Sequence, residues 1–456
     1  MRPGRDIEKF FLAGRGMSVR TGRYLSEAVI VGIATGLAVT AFKYGIDFAG
    51  GFFEGVEARR GGCWHSPARW LMLVMPAAGA LLGHLLIKRF SKLEHARGTD
   101  SAIRAFHQND GYVTGTVIPV KPVASILTVG SGGSAGYEGP VTLLGAACGS
   151  FIARKMKLSV RACRILMAAG MAAGIAALFQ APLAGAIFGF EIFYSSSDIE
   201  DETVLPCFIA SAASYSVYAF LVGESAWNSI FTLDSRYTFS NGLSLLPYLA
   251  LAIIVAFGSR FYITFFRAAE KTFSESRLPP AAKVVAGGLA TGAIGFFFPD
   301  VLGTSYGAVR TIFAMDGGGL LSGLGRLGGL GFAAFFVLKV AATSFTVGSG
   351  GSGGLFAPAL VCGGALGAAS GVVLKAVFPE AIGIHAPSFA LVGMAGFLAS
   401  ALRIPLASIV MVAEISGNHQ LLLPAMWVCG ISFWLNNDWS LYRSQIRSRE
   451  SSPVHR

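Results

Sequence analysis

The chain has 456 residues, of which 53% are hydrophobic and only 13% are charged, and its formal net charge is +11. An ordinary soluble domain has roughly 25% charged residues, so this composition excludes a protein built of soluble domains and predicts helices whose apolar surfaces face lipid. Basic residues at both ends of the chain account for the net charge, so no nucleic-acid partner is expected.

Residues 1–23 form a basic tail with six lysine and arginine residues and no removable apolar signal segment. The other end of the chain is also basic, with Arg443, Arg447, Arg449 and Arg456. Because positively charged flanks stay on the cytoplasmic side of a membrane, both termini are predicted to be cytoplasmic, where they can also contact anionic lipid headgroups. We predict a multi-pass protein of a bacterial inner membrane.

Apolar segments follow one another along the rest of the chain, and a spanning helix needs about 20 such residues. Residues 165–190 and 340–374 contain no charged residue and no histidine. Shorter apolar runs lie at 28–42, 70–87, 205–222, 243–257, 284–298, 386–402 and 421–437. These runs predict an all-α fold with a first membrane half at 24–268, a polar linker at 269–283 and a second membrane half at 284–456.

Two segments of the first half recur in the second half in the same order. LTVGSGGSAG at 127–136 matches FTVGSGGSGG at 345–354 in eight of ten positions, and QAPLAGAIFGFEI at 180–192 resembles RIPLASIVMVAEI at 403–415. Duplicated halves are typical of transporters, whose substrate site lies where the halves meet. With an odd number of crossings in each half, the halves lie inverted in the membrane, and this is the fold class we predict.

The repeated glycine-serine segments lie between apolar runs, at membrane depth. Glycine weakens a helix by about 1 kcal/mol per residue, so we expect each segment to break a helix, with new helices starting near Gly139-Pro140 and Pro358. Helix starts inside the membrane offer free N–H groups and a positive dipole end to an anion. Close helix packing is the alternative role for the glycines, and a dinucleotide site is not expected because no βαβ pattern surrounds them.

Glu138 follows the first glycine segment in an apolar context. A carboxylate inside a membrane is costly and indicates function, so protonation of Glu138 is expected to decide whether its side chain blocks the anion path. A purely structural glutamate that holds a loop is the alternative. Glu191 and Glu414 are the repeat-paired acids, and we interpret them as helix caps or partners of arginine because both halves keep them.

Cysteine and histidine residues show no metal-ligand spacing, so no metal or other cofactor is predicted. An enzyme is not predicted either, since neither a soluble catalytic module nor a cluster of His with Asp or Ser is present. The expected bound and transported species is chloride.

At these segments the chain resembles the CLC family of chloride channels and chloride–proton antiporters. GYEGP at 136–140 resembles the family's G-[KR]-E-G-P element, GLFAP at 354–358 its G-x-F-x-P element, and SLY at 440–442 the tyrosine of its last helix. The resemblance implies a homodimer with one anion path per subunit, a gating role for Glu138, and a pore-lining last helix. It also implies that the selectivity backbone is formed by Gly136, Tyr137, Gly139, Pro140, Gly354, Ala357 and Pro358.

Chloride contacts are also implied by the resemblance. Backbone N–H groups at Leu355 and Phe356 and the hydroxyl of Tyr442 are expected to bind chloride. A further element, G-S-G-I-P in the family, is replaced here by ARGTD at 96–100. Counting without gaps places Arg97 at the position of the usual serine, whereas a two-residue gap places Thr99 there, after Gly98.

Ile192 occupies the position where many antiporters of the family have an inner glutamate for protons. Isoleucine cannot carry a proton, and channels of the family have an apolar residue there. The sequence therefore favours a channel-like chloride conductance gated by Glu138. A chloride–proton antiporter that uses another inner proton route is the alternative.

Overall fold

The structure is a computed structural model of the whole chain. It describes residues 4–58, 67–90, 98–223, 230–231, 245–313, 328–378 and 384–455. Arg97 lies outside the described residues. Within the described ranges the regular secondary structure is helical, with sixteen α-helices and isolated bridges between extended residues.

The helices of the first half are α1 (Gly4–Ala58), α2 (Pro67–Phe90), α3 (Thr99–Gln108), α4 (Val117–Gly130), α5 (Glu138–Lys155), α6 (Val160–Phe179), α7 (Pro182–Glu191), α8 (Val204–Val222) and α9 (Leu246–Glu275). Those of the second half are α10 (Pro280–Phe297), α11 (Tyr306–Phe313), α12 (Gly329–Gly348), α13 (Phe356–Val377), α14 (Ala386–Leu402), α15 (Pro405–Ser416) and α16 (Leu422–Leu435).

Eight segments of the described chain are long and apolar enough to cross a membrane, and four shorter apolar helices accompany them. Exposed apolar side chains line the outer faces of these helices, for example Phe48, Phe220 and Trp434. Such surfaces are stable against lipid and unfavourable in water. The predicted all-α, multi-pass architecture is confirmed.

Both glycine-serine segments interrupt helices as predicted. The first break separates α4 from α5, and the second separates α12 from α13, so new helices begin at Glu138 and Phe356. Gly132 and Gly350 have φ values of 97° and 108° at equivalent positions, a conformation that favours glycine. The same local turn is thus built twice, once in each half.

The stretch at 269–283, which was predicted as a polar linker, contains the end of α9 at Glu275 and the start of α10 at Pro280. One sequence prediction about an element needs correction. Tyr442 does not lie on a pore-lining last helix, because α16 ends at Leu435 and the segment after it has no regular structure. The side chain of Asn436 at that end donates to the carbonyl of Ala256 in α9 at 2.9 Å.

Reciprocal caps join the two halves. The carboxylate of Glu191 accepts hydrogen bonds from the N–H groups of Leu406 and Ala407 at 2.8 and 2.7 Å, at the start of α15. The carboxylate of Glu414 accepts from Leu183 and Ala184 at 3.2 and 2.8 Å, at the start of α7. The interpretation of both acids as helix caps is confirmed, and each cap belongs to the opposite repeat.

Candidate anion-binding site

The two glycine-serine segments meet face to face. Gly136 and Gly354 form an antiparallel bridge, in which the Gly136 N–H donates to the Gly354 carbonyl at 2.9 Å and the Gly354 N–H donates to the Gly136 carbonyl at 2.7 Å. The equivalent parts of the two repeats therefore touch at the centre of the protein. The starts of α5 and α13 lie directly beside this bridge.

The start of α3 reaches the same point. A Cβ atom on Gly98 would lie 2.6 Å from the carbonyl carbon of Gly139, and one on Gly354 would lie 2.6 Å from the Gly139 nitrogen. Backbone approaches of this kind are open only to glycine. Three helix amino ends, those of α3, α5 and α13, therefore converge where the sequence predicted free N–H groups for an anion.

Glu138 is the first residue of α5, and its side chain is 2% exposed. Its Oε2 accepts a hydrogen bond from the N–H of Ala357 at 3.2 Å, in the first turn of α13. Its Oε1 accepts one from the hydroxyl of Tyr306 at 2.7 Å. The carboxyl group thus uses a helix N–H group of the opposite repeat, the kind of donor that an anion would use in the same place.

Tyr442 and Thr99 lie on the other side of the convergence point. Both side chains are buried, and both residues line the same cavity. Asp100 accepts hydrogen bonds from the backbone N–H and the hydroxyl of Ser444 at 2.9 and 3.0 Å, which fixes the segment that carries Tyr442. Thr99 therefore occupies the place beside Tyr442.

A small cavity opens from this point. An ion pair lies at its lining, where an Nη atom of Arg443 is 2.8 Å from the carboxylate of Glu270. The cavity is therefore lined both by predicted anion ligands and by this ion pair. Its lining includes Thr99, Asp100, Gly139, Glu270, Gly354, Leu355, Tyr442 and Arg443.

The remaining predicted residues have clear positions. The ring of Phe356 is buried against Phe179, with ring centroids 5.3 Å apart, so only its backbone can serve an anion. Tyr137 packs edge-on against Phe42 at 5.6 Å and contributes an apolar contact where the related element has a basic residue. Pro140 and Pro358 lie in the first turns of α5 and α13, where proline costs no hydrogen bond.

Ile192 is fully buried, and its carbonyl accepts a hydrogen bond from the side-chain amide of Gln445 at 2.9 Å. The side chain at position 192 is thus apolar, and the position itself has no carboxylate that could carry a proton. The side chain of Gln445 also donates to the carbonyl of Leu402 at 2.9 Å, so it joins the end of α7 in the first half to the end of α14 in the second half.

Sequence reasoning missed three residues of the site. Tyr306 and Asp100 carry no motif of their own, and their contacts join positions that are far apart in the chain. Lys339 is buried in α12, where its ammonium donates to the hydroxyl of Ser134 at 2.9 Å. A lysine within an apolar helix is the one signal that could have been used.

Three comparisons relate this architecture to known proteins. The family model described as "Voltage gated chloride channel" matches residues 78–437. A putative chloride channel protein, ClcB-like, from Ralstonia nicotianae is 31% identical over 89% of this chain and 91% of its own length. An H(+)/Cl(-) exchange transporter, ClcA, from Yersinia pestis is 33% identical over 89% of this chain and 82% of its own length.

Solved structures have the same fold. A slow cyanobacterial Cl-/H+ antiporter superposes with a TM-score of 0.78 at 23% identity, covering 91% of this chain and 94% of the other. A CLC-type fluoride/proton antiporter gives a TM-score of 0.78 at 21% identity, covering 94% of this chain and 98% of the other. At these sequence identities, the superpositions establish only the fold of the chain.

Proposed function

Because the chain belongs to the voltage gated chloride channel family, we propose that it carries chloride across the membrane along a path that the carboxylate of Glu138 closes. The observation that supports this most directly is the hydrogen bond from the Ala357 N–H to Glu138. An ionised carboxylate there occupies the amino end of α13 in place of a halide. Protonation removes its charge and releases that end for chloride.

Partial charges suit an ion that has to leave again. Helix amino ends and hydroxyl groups bind an anion without a full positive charge, so binding stays weak enough for transport. We propose that Thr99 and Tyr442 supply hydroxyl groups to chloride and that the backbone at Leu355 and Phe356 supplies N–H groups. Arg443 is paired with Glu270 at the cavity lining, so its charge is balanced there.

We propose further that chloride movement is coupled to protons in the opposite direction. The relative that supports this is named an H(+)/Cl(-) exchange transporter and is 33% identical over most of the chain. This proposal departs from the channel that the sequence alone favoured. Channel-like conductance is the second candidate, and Ile192 favours it because the side chain cannot carry a proton.

The reversal potential separates the two functions. Purified protein in liposomes is given a fixed chloride gradient, and a pH gradient is then imposed. For an exchanger we expect the reversal potential to shift with the pH gradient, because each cycle moves protons as well as chloride. For a channel the reversal potential stays at the chloride equilibrium potential, and that result would reject proton coupling.

Glu138→Gln is the matched variant for this measurement. Glutamine is neutral at every pH and similar in size, so it imitates the protonated gate. We expect chloride flux without proton coupling and without the pH dependence of the native protein. Unchanged pH dependence in this variant would remove Glu138 from the gate.

The homodimer and the cytoplasmic position of both termini stay predictions from the sequence.

A further inference from the structure

Tyr306 contacts the gate from outside the repeated segments. It is the first residue of α11, and its hydroxyl donates to Oε1 of Glu138 at 2.7 Å. Its ring meets the buried ring of Phe231 edge-on, with centroids 5.4 Å apart and an interplanar angle of 85°. The hydroxyl is thus aimed at the carboxyl group by a fixed ring.

Two elements share the carboxyl group of Glu138. The start of α13 binds one oxygen through Ala357, and Tyr306 binds the other. An ionised carboxylate accepts both bonds well, and charge-assisted bonds of this kind are roughly twice as strong as neutral ones. The side chain has to break both bonds to leave the anion path, so the tyrosine bond adds to the barrier for opening.

Lys339 fixes the turn that carries Tyr306. Its ammonium group is fully buried and donates to the carbonyls of Val301 and Gly303 at 3.1 and 2.8 Å and to the hydroxyl of Ser134 at 2.9 Å. The two carbonyls belong to the turn before Tyr306, whereas Ser134 belongs to the segment before Glu138. One cation therefore ties together the backbones that position the two partners.

The turn itself has a restricted shape. Gly303 has a φ of 58° and Ser305 a φ of 62°, so two residues just before α11 adopt the left-handed conformation. The N–H of Gly303 also donates to the carbonyl of Gly132 at 3.3 Å, within the first glycine-serine segment. The turn is thus anchored through two of its carbonyls and one of its N–H groups. It therefore holds Tyr306 at a fixed distance from Glu138.

We propose that Tyr306 is a latch that holds the ionised carboxylate of Glu138 across the anion path, and that Lys339 is the positioning residue of this latch. The inference rests on the proposed function and names the group that sets the pH and the rate of gating. It requires no coordinated ion and no covalent step. The tyrosine keeps its proton and donates it only as a hydrogen bond.

Tyr306→Phe tests the latch because it removes the hydroxyl and keeps the ring. In liposomes we expect unidirectional chloride flux at neutral pH to rise about tenfold, as expected for the loss of one bond to a charged group. The pH of half-maximal flux should move upward by about one unit, since a tenfold change corresponds to one pH unit. Native flux with the native pH profile in this variant would overturn the latch.

Tyr248→Phe is the matched control, because Tyr248 is a buried tyrosine that stacks on Phe389 at 4.4 Å, away from the gate. It should leave flux and pH profile unchanged.

In a Glu138→Gln background, Tyr306→Phe should add nothing, because the charge that the latch holds is already absent. An equal increase of flux in both backgrounds would show a general loosening and would overturn the latch.

Lys339→Gln tests the positioning role separately. We expect the pH of half-maximal flux to move in the same direction as in Tyr306→Phe, and the two substitutions together to give less than the sum of their shifts. An unchanged pH profile would remove Lys339 from this role. If the native protein itself shows no pH-dependent flux, the proposed gate fails; if the native protein is gated and Tyr306→Phe equals it, only the latch fails.

Discussion

Tyr442 reaches the anion site from a segment without regular secondary structure. A ligand on such a segment has to be held by its neighbours if its hydroxyl is to stay at one point. Asp100 does this through two hydrogen bonds to Ser444. Asp100 lies at the start of α3, so the amino end of this helix also determines the position of Tyr442.

Tyr442→Phe is expected to weaken chloride binding about tenfold, as for one lost hydrogen bond to a charged group. The ring still fills its buried place, so the fold should persist. Titration calorimetry of the purified protein with chloride measures the change. Tyr194→Phe removes a hydroxyl that bonds Glu200 at 2.7 Å, outside the cavity, and should leave the affinity unchanged. Equal affinity in Tyr442→Phe and native protein would contradict the hydroxyl contact.

Single residues of the site were predictable where a motif contained them and not elsewhere. Glu138 could be found because a carboxylate in an apolar run is costly. Tyr306 could not, because its contact joins positions 168 residues apart. From the sequence, whether Arg97 or Thr99 occupies the position of the family's serine depended on one gap in the alignment. The fold, and not the sequence, places Thr99 beside Tyr442.

At the scale of elements, helices α7 and α15 hold each other through their acids. Each begins with proline, and the N–H groups that follow it in the first turn have no partners inside the helix, as at any helix start. Glu414 and Glu191 satisfy these groups across the repeat boundary. A carboxylate at a helix start also interacts favourably with the helix dipole.

Glu191→Gln and Glu414→Gln should each destabilise the protein by about 1–2 kcal/mol, because an amide replaces a charged cap with two acceptor oxygens. We expect the larger loss for Glu191, which is buried, whereas Glu414 is partly exposed. Thermal unfolding in detergent measures the difference. Neither substitution should change proton coupling in liposomes. Loss of coupling in Glu191→Gln with normal stability would assign this acid to the proton route instead.

Helix existence was easier to predict than helix ends. The glycine-serine breaks were predictable since glycine density and the following prolines act locally. The stretch at 269–283, which was predicted as a linker from its polar residues, contains the end of α9 and the start of α10. In the structure α9 simply extends, and the charged Glu270 is used there for the ion pair with Arg443.

For the whole molecule, duplication explains why the site is central. Equivalent segments of the two halves pair at Gly136 and Gly354, so equivalent helix starts face one point. The repeat itself was visible in the sequence, and so was the place where the halves should meet. The route of the last residues was not, because residues 446–455 are held by contacts with separate parts of the first half, such as His107 and Asp198, rather than by any repeated pattern.

The end of the chain is fixed at a cluster outside the candidate membrane spans. His107 in α3 is buried and bonds the hydroxyl of Ser452 at 2.9 Å and the carbonyl of Phe193 at 3.1 Å. Burial, above all, lowers the pKa of His107 to about 4, and the nearby charges of His455 and Arg164 act in the same direction. His107 is therefore neutral in the folded protein at neutral pH.

This neutral histidine makes stability depend on pH. In the unfolded chain His107 takes up a proton near the ordinary histidine pKa of 6.5, whereas in the folded protein it does so only near 4. The contribution of His107 to the free energy of unfolding is therefore complete above pH 6.5 and falls as the pH drops toward 4. Below pH 4 it changes no further. The loss amounts to about 3 kcal/mol at most.

We expect the melting temperature in detergent to fall between pH 6.5 and pH 4, and to fall less steeply in His107→Gln, which cannot take up the proton. His419→Gln changes an exposed histidine and should keep the native slope. Because residue 452 lies only ten positions after Tyr442, loss of the His107 contact should also loosen the segment that presents the tyrosine to the cavity. Parallel pH slopes of the melting temperature in native protein and His107→Gln would contradict this role of His107.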